Sequence, residues 1–137
     1  MSYGVSAALQ AAVFGQLSAD TALGDLVGGA IYDAIPPGSL PSLYVVLGPE
    51  TARDASDKTG SGAMHEFTVT VVTESAGFAS AKAAAAAVSD ALIDADLTLT
   101  RGQLVALNFY KAKAARVGTG DMRQINLTFR ARVADDA

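Results

Sequence analysis

The chain has 137 residues, no cysteine, and 14 acidic against 10 basic side chains. The length suits one domain with a core of useful size, and the lack of cysteine excludes a disulfide framework and any thiolate metal site. No apolar run approaches the ~20 residues of a membrane-spanning helix, and spaced apolar residues without a basic leader predict no signal peptide. Residues 1–100 hold 3 basic and 11 acidic groups, a balance of −8, whereas residues 101–137 hold 7 basic and 3 acidic, a balance of +4. Such polarity suits head-to-tail contact between identical copies, although two ordinary solvated faces would have the same composition.

In chain order, Val5, Ala8, Leu9, Ala12, Val13 and Leu17 follow the spacing of one buried helical stripe, with Ser2 as a candidate N-cap. Ser18 or Asp20 can cap a shorter stretch of helix with Leu23, Leu26 and Val27 inward, which Gly28-Gly29 ends. Ile31-Tyr32-Asp33 reads as a short extended piece, and Pro36, Pro37 and Pro41 forbid helix after it. Leu43 to Gly48 reads as a strand apolar on both faces, hence covered or central, with Pro49 at its end or on an edge.

Residues 51–63 have no apolar periodicity and predict a long polar loop or the tip of an extended hairpin. Met64 to Thr73 predicts a strand with Phe67, Val69 and Val71 on one face. A second helix follows Gly77, with Phe78, Ala81, Ala85, Val88 and Leu92 inward, and stops by Ile93 because Asp94 and Asp96 oppose a helix C-terminus. Leu97 and Leu99 alternate with Thr98 and Thr100 as in a short edge strand. Gln103–Ala115 and Met122–Val133 read as longer strands joined by the Gly118–Asp121 turn, and residues 134–137 as a disordered tail. In the last strand Ile125, Leu127, Phe129, Ala131 and Val133 alternate with polar residues, which predicts one wet or partner-facing side. The order α-β-β-α-β-β predicts a two-layer α+β domain over residues 1–133: a mainly antiparallel sheet of about four strands with two helices on one face.

No constellation carries catalysis, a cofactor or a metal. His65 is the sole histidine, opens a strand beside Glu66, and reads as a surface or turn residue. The pairs Asp54/Asp57, Asp94/Asp96 and Asp135/Asp136 read as solvated carboxylates. Gly60-Ser61-Gly62 and Gly118-Thr119-Gly120 lack the endings of phosphate or dinucleotide loops. Lys111, Lys113, Arg116, Arg123, Arg130 and Arg132 lie on strands expected to pair and to form a basic face near Phe109 and Tyr110. Nucleic-acid binding, a solvated face and a subunit interface compete there; no nucleic-acid signature is present, and the interface is preferred.

The segment Gly29-x-Ile31-Tyr32-Asp33-x-x-Pro36 and the strand Tyr44-Val45-Val46-Leu47-Gly48, between alanine-rich helices and a final hairpin, resemble the tail terminator (tail completion) proteins of long-tailed phages and gene transfer agents. The family's proline-tyrosine pair stands here as Pro41-Ser42-Leu43-Tyr44. The resemblance implies a structural virion protein of the tail and neck, made in the bacterial cytoplasm, without catalytic residues. It implies a hexameric ring that caps the head-proximal end of the tail tube, ends its polymerisation and meets the head-tail connector or stopper. DNA would only pass through the channel, and no membrane is involved. A head-closure protein, a tube subunit or a small ligand-binding domain are the alternatives. Arg53, Asp54, Asp57 and Lys58 in the 51–63 loop are the first candidates for ring or tube contact, ordered only on assembly. The Gly118–Asp121 turn is the second.

Overall fold

A computed structural model describes residues 3–57, 60–75, 77–118, 120 and 122–135. Among these, three helices lie on one face of a five-stranded sheet. The helices are α1 (Ser6–Ala19), α2 (Thr21–Val27) and α3 (Ala79–Leu92), and the strands are β1 (Ile31–Tyr32), β2 (Leu43–Asp54), β3 (Gly62–Thr73), β4 (Gln103–Arg116) and β5 (Arg123–Ala134). The two-layer α+β expectation is met. Spatial order is β1-β2-β3-β5-β4, with β1 parallel to β2 and every other pair antiparallel. The extra strand is the short Ile31–Tyr32 piece, which pairs with Val45–Val46.

Helix α1 buries Val5, Ala8, Leu9, Val13 and Leu17, the expected stripe save for half-buried Ala12. Its expected cap Ser2 lies outside the described residues. Asp20 accepts a hydrogen bond from Leu23 N at 2.9 Å and caps α2, which Gly28 ends at φ +62°, a conformation that glycine adopts without a Cβ clash. The alanine face of α3 lies on β3 and β5, and its last residue is Leu92, as expected. Phe129, Val69, Val71, Leu9, Leu17, Leu23, Val88 and Leu92 fill the space between the layers.

A second, smaller apolar cluster lies on the other face of the sheet. Ala30, Tyr44 and Val72 are buried there beneath Tyr32, Val46 and Leu40. The proline-rich connection between β1 and β2 thus covers the end of β2 that is apolar on both sides.

Two expectations are corrected, and one pair of readings is resolved. Leu97–Thr100 forms no strand; half-buried Leu97 and Leu99 plug the core, and burial explains their alternation without pairing. Of the two readings of 51–63, the extended hairpin holds: 51–54 and 62–63 belong to β2 and β3. Its polar residues Thr51, Arg53, Asp54, Ser56 and Asp57 are exposed, whereas Ala63 reaches the core and Ala52 pairs with buried His65. Ala134 and Asp135, expected in the tail, belong to the fold: Ala134 ends β5 and Asp135 is held by Arg101; Asp136 and Ala137 lie outside the described residues.

Candidate assembly surfaces

The strand registers sort the candidate residues by face. On β5 the odd positions from Ile125 to Val133 meet the helices, so Asn126, Thr128, Arg130 and Arg132 point away from them. Their neighbours on β3 are Thr70, Thr68, Glu66 and Met64. On β4 the extra residue Tyr110 shifts the register between Phe109 and Lys111. That bulge turns Lys111 and Lys113 onto the helix-free face; a regular strand would have aimed them at the helices. Arg53, paired with Met64, joins the same face in the row of Arg132.

Lys111, Lys113, Arg130, Arg132 and Arg53 therefore share one uncovered face. Glu66 lies among them, with its Oε2 3.5 Å from Arg130 Nε. The Arg130 guanidinium stacks 3.5 Å from the Tyr110 ring centroid, and Lys111 Nζ lies 5.6 Å from the same ring. Thr70 Oγ1 donates to Asn126 Oδ1 at 2.8 Å. The face is a ladder of polar side chains with a basic rim along β4.

Arg116 and Arg123 depart from the expected basic face. They pair with each other at the far end of the sheet, on the side of the helices. Arg123 donates to Ser75 O at 2.9 Å and lies 5.4 Å over the Phe78 ring, clasping the start of α3. Arg116 Nη2 donates to Gly120 O at 3.3 Å and stiffens the β4–β5 turn, whose Thr119 and Asp121 are outside the described residues.

Within the tip of the β2–β3 hairpin, residues 54–57, 60 and 61 carry hydrogen bonds. Ser56 N and Oγ both donate to Asp54 Oδ1, at 3.1 and 2.7 Å. Those bonds hold the Asp54 carboxyl below its usual range. Gly60 N donates to Asp57 Oδ1 at 3.0 Å, and Asp135 N to Ser61 O at 2.9 Å. Arg132 Nη2 donates to Ala55 O at 3.3 Å. Lys58 lies outside the described residues. Gly62 pairs with Ala134 and Thr73 with Arg123, so this tip and the β4–β5 turn lie at opposite ends of the sheet.

His65 is fully buried, not a surface or turn residue. It pairs with Ala131, which puts its ring on the helix side under the start of α1. The sequence hides its partner, because Glu50 reaches the same side only through the Gly48-Pro49 bulge in β2. His65 Nδ1 lies 3.0 Å from Glu50 Oε2, Ser6 Oγ donates to Oε1 at 2.9 Å, and Tyr3 Oη donates to Oε1 as well. Burial opposes the charge on Glu50, but the hydrogen bonds from Tyr3, Ser6 and His65 outweigh it and lower its pKa. The Ser6 hydroxyl is bonded to the carboxylate and not to the imidazole, so the cluster pins α1 to the sheet. Arg101 and Asp135 form a bidentate pair at 2.8 and 3.1 Å. Among the described residues, no group of three or more His, Asp or Glu side chains is arranged to hold a metal.

This architecture was compared with known proteins. The family described as tail completion protein gp17 matches residues 11–134, nearly the whole chain. The chain belongs to the gp17 tail completion family. Membership makes this tail completion protein a structural component of a phage-type virion, placed in the tail and neck. A similar solved structure is a chain described as "Virion of native gene transfer agent (GTA) particle", with 64% identity, TM-score 0.93, and coverage of 97% of this chain and 99% of that one. A comparison with curated protein sequences gave no match.

Proposed function

We propose that residues 1–133 act as one building block of a hexameric ring that caps the head-proximal end of the tail tube, stops its growth and presents the opposite end-face to the head-tail connector. DNA crosses the ring's channel without sequence-specific recognition. The observation that carries this reading is the polar layout of the sheet. The 55–61 tip and the β4–β5 turn lie at opposite ends, and both lateral edges are open. Open edges suit side-by-side contact between copies, and two different ends suit two different partners. The 64% identity to a gene transfer agent virion chain supports the same setting.

The tip is assigned to the tube, because Arg53, Asp54 and Asp57 are exposed on a bonded, protruding hairpin. Replacing residues 56–61 with a two-residue Asn-Gly turn that closes on Ala55 and Gly62 in the native register tests this. The expected product is folded, with an unchanged circular dichroism spectrum, and fails to stop tube polymerisation in vitro. Tubes of normal length with this variant would reject the tip as the capping contact. Light scattering with purified tube protein separates the alternatives: one end-bound ring marks a cap, and indefinite self-polymerisation marks a tube subunit.

A further inference from the structure

Two apolar features remain at opposite edges of the sheet. The first is a groove. Helix α3 covers β3 and β5 and, with the core, buries Leu107 of β4, but leaves Phe109, Ala112 and Ala114 on the helix side of β4 exposed. Between α3 and β4 lies a groove of about 320 Å³, floored by Ala112, Ala114, Ile125 and Leu127 and flanked by Phe109 and Ala86. Phe109 is 43% exposed there. The volume is at the small end for a ligand site, but methyl groups dominate the lining and no polar groups converge on it from several sides. A small molecule would be held without orientation, whereas an apolar side chain fits.

The second feature is the arm between β1 and β2. Residues 33–39 are exposed in succession, and Ile35 is 53% exposed. Leu40 anchors the arm on Tyr44 and Val72. Pro36, Pro37 and Pro41 restrict its backbone, so little conformational freedom is left to lose on docking.

Charge pairs the two edges. Residues 1–42, which build α1, α2, β1 and the arm, contain Asp20, Asp25 and Asp33 and no lysine or arginine. Strand β4 contains Lys111, Lys113 and Arg116 and no acid. The acidic arm edge and the basic groove edge are the two ends of the order β1-β2-β3-β5-β4. Complementary surfaces on opposite sides of one subunit make a head-to-tail contact, the kind that closes into a ring.

We propose that the arm of one copy seats Ile35 in the α3–β4 groove of the next copy, and that this single contact repeats around the ring. The inference rests on the ring reading above and specifies its lateral interface. The acidic arm edge then faces Lys111, Lys113 and Arg116 of the neighbour. The groove is filled by the same segment in every subunit.

The native chain has no cysteine, so placed thiols are unique. Particles are made with the double variant Ile35→Cys, Ala112→Cys and treated with a short bismaleimide. Within one chain the two sites lie across four strand spacings, roughly 19 Å, so a shorter linker joins only different copies. The expected result is a ladder of multimers at least tenfold stronger than in particles bearing either single cysteine. Several copies per particle without a ladder would overturn this interface and leave the ring standing. One copy per particle, measured by quantitative mass spectrometry on the wild type, would overturn the ring itself. A second pair, Ser39→Cys with Ala86→Cys, serves if the first disturbs assembly; failure of both to cross-link within multi-copy particles overturns the interface.

Discussion

At the scale of single residues, the Glu50 carboxylate is the polar group on which the packing of α1 depends. It accepts from Tyr3 and Ser6 on the N-terminal segment and lies against the Nδ1 of buried His65 on β3. Glu50→Gln would remove one acceptor oxygen and set an N–H donor among groups that already donate. The expected cost is about 1–3 kcal/mol, read as a lower urea midpoint with an unchanged slope. The pH dependence follows from the lowered pKa of Glu50. The unfolded carboxyl titrates near ~4.3, above the folded one, so the contribution is complete above that value. It is lost as pH falls through the folded value. The stability gap between the native protein and Glu50→Gln is therefore expected to be constant near neutrality and to shrink as pH falls below the unfolded carboxyl's ~4.3. A gap that held steady in acid would show that the carboxylate charge contributes nothing. His65 itself was legible as the sole histidine, but its burial was not. The bulge that brings Glu50 to it follows from strand register, which local pattern does not encode.

At the scale of elements, local rules were enough wherever one face of a helix or strand had to be apolar. The stripe of α1, the end of α3 at Leu92 and the alternation of β5 all stand as the residues predict. Local chemistry also fixes α2, which is seven residues long and too short to persist without caps. Asp20→Ala is expected to cost about 1 kcal/mol and Asp20→Asn much less, because Asn retains the acceptor for Leu23 N. Thermal melts of the two variants measure the difference, and equal melting temperatures would remove the cap from the account. Elements without a buried face were harder to read. Thr51–Asp54 looks like loop because Thr51, Arg53 and Asp54 are exposed polar residues on a strand, and Leu97–Leu99 looks like strand because it is loop pressed into the core. The bulge at Tyr110 had no visible sign in the sequence, and it decides that Lys111 and Lys113 face outward while Arg116 does not. The basic face was thus legible as a cluster of residues, and its membership was settled by register.

At the scale of the whole molecule, charge and topology bear on the proposed ring. A heterologous contact needs each subunit to carry both halves of the interface; basic β4 lies at one sheet edge, and β1, within the base-free residues 1–42, lies at the other. Electrostatic attraction between exposed edges acts mainly on encounter and orientation, and is screened over roughly 8 Å at physiological salt. Lys111→Glu with Lys113→Glu should therefore slow assembly most at low ionic strength and leave the fold intact, since both side chains are exposed. Reversing the other edge with Asp25→Lys and Asp33→Lys should produce the same defect alone. Mixing the two variants should restore closure, because in an alternating ring of six every acidic edge of one variant meets a basic edge of the other, although neither variant closes alone. Combining all four changes in one chain should restore it, because every subunit then carries a complete, inverted pair of edges. Neck occupancy in particles, compared at low and high salt, reads these outcomes. If the fourfold variant assembled no better than either double variant, the charged edges would have to serve partners other than each other.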